Sequence, residues 1–171
     1  ALNVDDESFD CVVSQFGMMF FEDRETAAKE MFRALRSGGS LAVAVWRSVD
    51  HNPAYADIIQ VLEDNLGTDA ADALRLPYSL GDSDEVIAAL ESGGFGGVTV
   101  KARTEMARFP SSRQMVEAEL RGWLPIFDIF LGEEEIDEVL VESDKLLRKY
   151  SAPAGEAVFP TSANIFTARK A

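Results

Sequence analysis

Two short apolar runs constrain the fold of this chain more than any other feature. Residues 9–14 read Phe-Asp-Cys-Val-Val-Ser, and residues 41–46 read Leu-Ala-Val-Ala-Val-Trp. Neither run alternates strictly between apolar and polar residues, which is typical of strands covered on both faces of a parallel sheet. Parallel strands need a crossover connection, so the segment between the two runs should carry a helix.

The connecting segment has the pattern of an amphipathic helix. Asp23 is placed to act as its N-cap, and Gly38-Gly39 is placed to stop it. The pattern therefore predicts a strand-helix-strand unit with a right-handed crossover. The apolar residues that share the buried helical face are Ala27, Ala28, Met31 and Leu35.

The rest of the chain continues in an α/β manner. Strict alternation over residues 98–104 predicts a strand with one face in water, near the sheet edge, and residues 157–169 read as a final strand or hairpin arm. We expect one domain over residues 1–171, with a helical insert at residues 111–150. Apolar spacings of three and four, with capping residues, predict helices over residues 55–66, 82–92, 111–123 and 136–150.

Composition excludes several classes of function. The formal charge of −14, without any basic run, argues against binding to nucleic acid or to an anionic membrane. Cys11 is the only cysteine, which suits a reducing compartment such as the cytoplasm, and its apolar surroundings predict a small buried side chain and not a nucleophile. We see no signal peptide, no membrane-length apolar run, no metal-ligand cluster and no Gly-x-Ser-x-Gly turn, so hydrolase and metalloenzyme activities have no support.

Residues 9–21 and 30–41 carry a more specific signal. They read Phe-Asp-Cys-Val-Val-Ser-Gln-Phe-Gly-Met-Met-Phe-Phe and Glu-Met-Phe-Arg-Ala-Leu-Arg-Ser-Gly-Gly-Ser-Leu. This combination resembles the region that follows the cofactor-binding motif in class I S-adenosylmethionine (SAM)-dependent methyltransferases. In that family the region spans the fourth strand, its helix and the fifth strand.

Other segments look like the small-molecule methyltransferases related to ubiquinone and menaquinone biosynthesis. Each segment is a weak signal alone, but together they occur in the order of that group. The resemblance therefore covers almost the entire chain. The segments are residues 1–10, 46–48, 77–82, 93–95, 108–111 and 158–170.

The resemblance implies a Rossmann-like fold in which this chain is the carboxyl-terminal half. The family's sheet has the strand order 3-2-1-4-5-7-6 with strand 7 antiparallel, and this chain would supply strands 4, 5, 6 and 7 with a helical insert, a remnant of the three-layer sandwich. Ligands on such sheets bind where the strand order reverses, at the carboxyl ends of the strands. The crevice would lie between strands 1 and 4, so this chain would form one wall of it.

The same resemblance implies that the family's Gly-rich loop and its acidic cofactor contacts come earlier than this chain. The glycine-rich run at residues 93–97 follows a helix and precedes a strand, the reverse of a nucleotide-binding turn. A charged sulfonium cofactor needs backbone donors and a carboxylate to offset its desolvation. We therefore expect this chain alone to bind SAM weakly or not at all. Strand 4 would be an open edge, so we expect a homodimer paired through that edge, or aggregation.

By position in the family, Ser14, Gln15 and Phe16 are the predicted cofactor-binding residues. They end strand 4, where the cofactor's methionine and ribose would lie. Simple termination of the strand is the alternative interpretation.

The predicted acceptor-binding residues are mostly aromatic. Core packing is the alternative for each of them. His51, the only histidine, follows strand 5 in a polar loop and is a candidate catalytic base, although an exposed polar role is the simpler interpretation. The predicted acceptor-binding residues are Met19, Phe20, Trp46, Tyr55, Trp123 and Phe127.

Two functions remain open at this point. The first is a SAM-dependent methyltransferase acting on a small, apolar or aromatic acceptor. The second is a non-catalytic half-Rossmann module that dimerises or binds an apolar ligand. An upstream Gly-x-Gly-x-Gly turn, or measured methyl transfer, would discriminate between them.

Overall fold

The structure is a computed structural model that describes residues 2–171. Within that range the strands form one mixed sheet with the order β1-β2-β4-β3. β1 pairs with β2 in parallel, and β4 pairs with β2 antiparallel. This is the order expected for strands 4, 5, 7 and 6, so the predicted α/β fold class is confirmed. The strands are β1 (Phe9–Gln15), β2 (Leu35–Trp46), β3 (Gly96–Phe109) and β4 (Ala157–Arg169).

The helices connect these strands along the chain. α1 lies between β1 and β2, α2, α3 and α4 lie between β2 and β3, and α5 and α6 lie between β3 and β4. The predicted helical segments are thus present, with α3 as an addition to them. Their bounds are α1 (Arg24–Ala34), α2 (Pro53–Leu66), α3 (Thr68–Arg75), α4 (Ser83–Ser92), α5 (Ser112–Ala118) and α6 (Glu133–Leu147).

The chain divides into two compact units. We call the first the sheet unit; it contains Ala1–Ser48, Pro77–Arg103 and Ser162–Ala171. The second, the helical unit, contains Val49–Leu76 and Thr104–Thr161, and so includes the predicted insert at 111–150. The prediction of a single domain stays a prediction.

In the sheet unit, α1 begins as predicted but ends early. The Asp23 carboxylate accepts the Thr26 backbone N–H at 2.8 Å, which confirms the N-cap. The helix ends at Ala34, so the prediction that Gly38-Gly39 stops it was wrong. Those glycines lie instead in a bulge where the register shifts, since Phe9 pairs with Leu35 but Cys11 pairs with Ser40. Gly38 has a φ of +76°, which glycine adopts without strain.

The core of the sheet unit lies on one face of β2. Leu41, Val43 and Val45 are buried, whereas Ala42 and Ala44 on the opposite face are partly buried. The prediction that both faces are covered is therefore only partly met. The residues packed with them include Ala28, Met31, Val86, Leu90, Phe95 and Phe166.

β1 is more exposed than its sequence predicted. Val13 is 66% exposed, Phe9 is 43% exposed, and Cys11 is exposed as well. The prediction that Cys11 is buried was wrong, because β1 is the outer strand of the described sheet and has only β2 beside it. An apolar composition identified the strand correctly but did not show how much of it is covered.

A buried lysine, Lys170, contacts the carboxyl end of α1 in the sheet unit. The Lys170 ammonium donates to the carbonyl oxygens of Phe32 at 3.0 Å and Leu35 at 2.8 Å, and it lies 3.2 Å from the Glu7 carboxylate. It also lies 4.7 Å from the centre of the Phe32 ring. A cation at the carboxyl end of α1 satisfies free carbonyl groups and opposes the helix dipole.

The helical unit has its own core around Phe159, which is 1% exposed. This ring stacks on Phe109 at 5.9 Å and meets Tyr55 and Tyr150 edge-on at 6.1 and 5.9 Å. Aromatic pairs at these separations stabilise a core beyond the area that they bury. The surrounding buried residues include Ile58, Leu62, Leu74, Val116, Leu120, Leu124, Val139 and Leu140.

Candidate functional site

The carboxyl end of β1 holds the predicted cofactor-binding residues. Ser14 is partly buried and Gln15 is exposed. Phe16 has a φ of +53°, a left-handed conformation that is uncommon for a bulky residue, and its N–H donates to the Ala44 carbonyl at 2.9 Å. The strand therefore ends at a sharply turned aromatic residue, and such backbone outliers occur preferentially at functional sites.

The Phe16 ring lies against the end of β2. It stacks on Trp46 with ring centres 4.0 Å apart and an angle of 11° between the planes. Trp46 in turn lies 6.4 Å from the ring of Tyr78. The structure thus brings together one predicted cofactor residue and one predicted acceptor residue, within a partly buried aromatic stack.

Two predicted acceptor-binding residues, Met19 and Phe20, follow the turn after Phe16, and they differ in exposure. Met19 is 2% exposed and packs in the core of the sheet unit, which was the alternative interpretation for it. Phe20 is 43% exposed and lines an open groove of about 550 Å³ with Phe21, Thr26 and Met31 among its walls. Grooves of this size accommodate small molecules. A substrate-binding role stays a prediction for both residues.

The loop that contains Gly81 packs closely against the loop that follows β2. A Cβ atom built on Gly81 would lie 2.1 Å from the backbone N of Ser48, two residues after Trp46. Asn164 on β4 donates to the Gly81 carbonyl at 3.5 Å. Glycine is therefore required at position 81 for the loop after β2 to pack as it does.

The remaining predicted positions lie in the helical unit. His51 is exposed in a 3-10 turn at Val49–His51. Trp123 and Phe127 contact each other with ring centres 5.4 Å apart, and the Trp123 indole N–H donates to the Ala73 carbonyl at 2.8 Å. Tyr55 is partly buried and packs on Phe159. The catalytic role of His51 stays a prediction.

Sequence reasoning missed a carboxylate beside Tyr55. The Tyr55 hydroxyl lies 3.5 Å from Oε1 of Glu119, which is partly buried. Burial raises the pKa of Glu119 to about 7, while the hydrogen bond from Tyr55 acts in the opposite direction. Burial, and then the neighbouring Glu119 charge, raise the pKa of the Tyr55 phenol. A signal was available, because Glu119 stands three residues after Val116 and four before Trp123, at the spacing of the apolar helical face.

Two further kinds of feature, clusters of metal-ligating side chains and membrane-spanning helices, are absent from the described part of the chain. Residues 2–171 contain no group of three or more His, Cys, Asp or Glu side chains placed to hold a metal ion. None of the helices formed by these residues has the length and apolar character needed to cross a membrane.

Comparison with known proteins agrees with this geometry. The family described as "Methyltransferase domain" matches residues 1–43, the stretch that holds β1, α1 and most of β2. The YcgJ protein of Bacillus subtilis superposes with a TM-score of 0.55 at 13% identity, over 99% of this chain and 67% of that chain. A SAM-dependent methyltransferase of Thermotoga maritima superposes with a TM-score of 0.51 at 18% identity, over 100% of this chain and 60% of that one.

The chain has the fold of a class I SAM-dependent methyltransferase. The resemblance inferred from the sequence is thereby confirmed at this level, whereas its assignment to the ubiquinone and menaquinone group stays a prediction. In this fold β1, β2, β3 and β4 are strands 4, 5, 6 and 7. Ser14, Gln15 and Phe16 then lie where strand 4 of a methyltransferase ends.

Curated relatives have also been matched across most of the chain. The uncharacterized proteins Rv1405c of Mycobacterium tuberculosis and Mb1440c of Mycobacterium bovis are each 25% identical over 150 residues, which cover 83% of this chain. The matched region is 53% of each relative. The chain therefore spans about half the length of the curated relatives that it matches.

Proposed function

We propose that this chain is the carboxyl-terminal part of a methyltransferase domain, and that the whole protein transfers a methyl group from SAM to a small acceptor. The observation that carries this proposal is the sheet order β1-β2-β4-β3 with antiparallel β4. The match of residues 1–43 to a methyltransferase domain supports it independently. The reducing cytoplasm is the compartment in which we expect this protein to act.

The residues present fit one wall of a cofactor site. Ser14 and Gln15 offer a hydroxyl and an amide at the carboxyl end of β1, and the Phe16 ring offers an apolar surface. A Cβ atom at position 17 would lie 3.4 Å from the Ser14 Oγ, in van der Waals contact with it. When bound, SAM would supply an electrophilic methyl group on a sulfonium. The acceptor's lone pair would bond to that carbon as the carbon–sulfur bond broke and left its electrons on sulfur.

This chain's own part in the reaction is to position the reactants. In-line displacement gains most of its rate from alignment of the reacting atoms and does not require a base in every case. The Trp46 ring, which stacks on Phe16, would contact an apolar or aromatic acceptor beside the cofactor wall. His51 remains the candidate base for an acceptor that must lose a proton.

The test is methyl transfer by the native polypeptide that contains this chain, isolated from its source. Labelled SAM is expected to lose its methyl group to a small-molecule extract, and Trp46→Ala is expected to lower kcat/KM by about tenfold or more through loss of positioning. Phe109→Leu, in the core of the helical unit, is the control for a general loss of stability. A protein that binds SAM but methylates no small molecule contradicts the proposal.

The second candidate function, dimerisation through β1, is favoured by a specific observation. The edge strand β1 exposes Phe9, Cys11 and Val13, and an unpaired strand edge is a template for pairing. In sedimentation, the 171-residue chain is expected to form a dimer that Val13→Lys dissociates. A monodisperse monomer at about 100 μM contradicts this candidate.

A further inference from the structure

The helical unit contains two tyrosine–carboxylate pairs that share one aromatic core. The Tyr150 hydroxyl donates to Oδ2 of Asp57 at 2.9 Å, and the Tyr55 hydroxyl lies 3.5 Å from Oε1 of Glu119. Both tyrosine rings meet the buried Phe159 ring edge-on. The two carboxylates therefore lie in comparable settings, each at the polar end of a tyrosine packed on the same phenylalanine.

The pairs differ in their counterion. Lys149 Nζ lies 2.8 Å from Oδ2 of Asp57, so that carboxylate is neutralised. Among residues 2–171, Glu119 has no salt-bridge partner, and no cation contributes to its ionisation. The nearest arginine in sequence, Arg121, is engaged by Glu117 at 2.9 Å and Glu133 at 2.8 Å.

The backbone around Glu119 is also unusual. Residues Glu119–Trp123 form a π-helical segment, and the Leu124 N–H donates to the Glu119 carbonyl. π-Helical segments are rare and occur frequently at functional sites, because the widened turn redirects side chains. At the far end of this segment the Trp123 ring is fixed by its hydrogen bond to Ala73 and by its contact with Phe127.

We propose that Glu119 is the recognition group of an acceptor site in the helical unit, and that the acceptor carries a protonated amine on an aromatic or apolar body. The amine would take the place at Glu119 that Lys149 takes at Asp57, and the ring of Tyr55, whose hydroxyl lies 3.5 Å from Glu119, would contact the apolar body. An amine completes the pair with a charge-assisted hydrogen bond. Aromatic faces near a cation strengthen its binding further.

The electrostatics of the site support this assignment. Burial raises the pKa of Glu119 to about 7, so the free site holds a carboxylate that water does not fully solvate. A cationic ligand removes that penalty, whereas a neutral alcohol of the same shape does not. The assignment names the acceptor class of the proposed methyltransferase and in that sense rests on it, but binding can be measured without SAM.

The experiment is isothermal titration of the native polypeptide that contains this chain, at pH 8, with 2-phenylethylamine and with its neutral counterpart 2-phenylethanol. The amine is expected to bind about tenfold or more tightly than the alcohol, the usual effect of a charge-assisted hydrogen bond. Glu119→Gln is expected to abolish that preference, and Tyr55→Phe is expected to retain it. Asp57→Asn is the matched control and should leave the preference unchanged.

Several results would overturn the assignment. They are equal binding of amine and alcohol, no binding of the amine at millimolar concentration, or an amine preference that persists in a folded Glu119→Gln variant. Glu119→Asp, which keeps the charge, guards against misfolding and should retain part of the preference. Amine binding in a protein that never transfers a methyl group would refute the proposed function and leave this site intact.

Discussion

The buried charge of Lys170 in the sheet unit and the partly buried charge of Glu119 in the helical unit are accommodated in opposite ways. Lys170 is 9% exposed and meets two backbone carbonyls, a carboxylate and a ring face. Glu119 has one long hydrogen bond and no cation within the described residues. A buried charge with fixed partners serves folding, whereas one whose partners are incomplete is a candidate for ligand binding.

The largest effect in this comparison is expected from Lys170→Met. The substitution keeps the apolar stem but leaves the carbonyls of Phe32 and Leu35 without their donor at the end of α1. Loss of one partner from a buried charged network costs about 3 to 5 kcal/mol of unfolding free energy. Urea denaturation measures it, with Lys145→Met on the exposed surface as the control. Equal stability of the two variants would show that Lys170 is not a structural anchor.

Glu119→Gln is expected to raise the free energy of unfolding, whereas Lys170→Met is expected to lower it. The size of the increase should depend on pH. The folded pKa of about 7 lies above the ordinary value of 4.5, so the folded state binds the proton more tightly than the unfolded chain. This stabilising contribution is complete below about pH 4.5 and is lost as pH rises to about 7. At pH 8 the variant is expected to be more stable than the native chain by up to about 3 kcal/mol, since each pKa unit corresponds to about 1.4 kcal/mol.

The measurement for this second prediction is the urea midpoint at pH 5 and pH 8. The gain from Glu119→Gln should be large at pH 8 and small at pH 5. A destabilised variant at pH 8 would mean that Glu119 is a satisfied structural residue like Lys170.

The smallest effect is expected from Tyr55→Phe. Its hydrogen bond to Glu119 is long at 3.5 Å, so its removal should cost less than about 1 kcal/mol. Because that bond favours the ionised carboxylate, the pKa of Glu119 should rise slightly in the variant. Tyr150→Phe, which removes the shorter 2.9 Å bond to Asp57, should cost more by urea denaturation. If Tyr55→Phe cost more stability than Tyr150→Phe, the Tyr55–Glu119 pair would not be the weaker of the two pairs.

In the sheet unit, the secondary structure and strand order were predicted better than the exposure of individual side chains. Asp23 was identified as an N-cap because capping depends on local spacing, and the strand order followed from the resemblance. The exposure of Cys11 depends on how many strands lie beside β1, which the resemblance implied and the apolar residues around Cys11 did not show. The end of α1 was misplaced because Gly38-Gly39 fits both a helix stop and a bulge.

The helical unit was predicted as helices but not as a site. Tyr55 and Trp123 were named because aromatic residues stand out at apolar spacings. Glu119 was not among the predicted site residues, and only the packed structure shows it beside Tyr55. Partnership between residues 64 positions apart is a tertiary property that no local pattern contains.

The most direct test of this account is the side-chain pKa of Glu119, followed by carbon-13 NMR with and without 2-phenylethylamine. The account predicts a value of about 7 in the free chain, falling toward the ordinary 4.5 when the amine is bound. A value near 4.5 in the free chain, or one that the amine leaves unchanged, would contradict the claim that Glu119 is an incomplete ion pair awaiting a cationic acceptor.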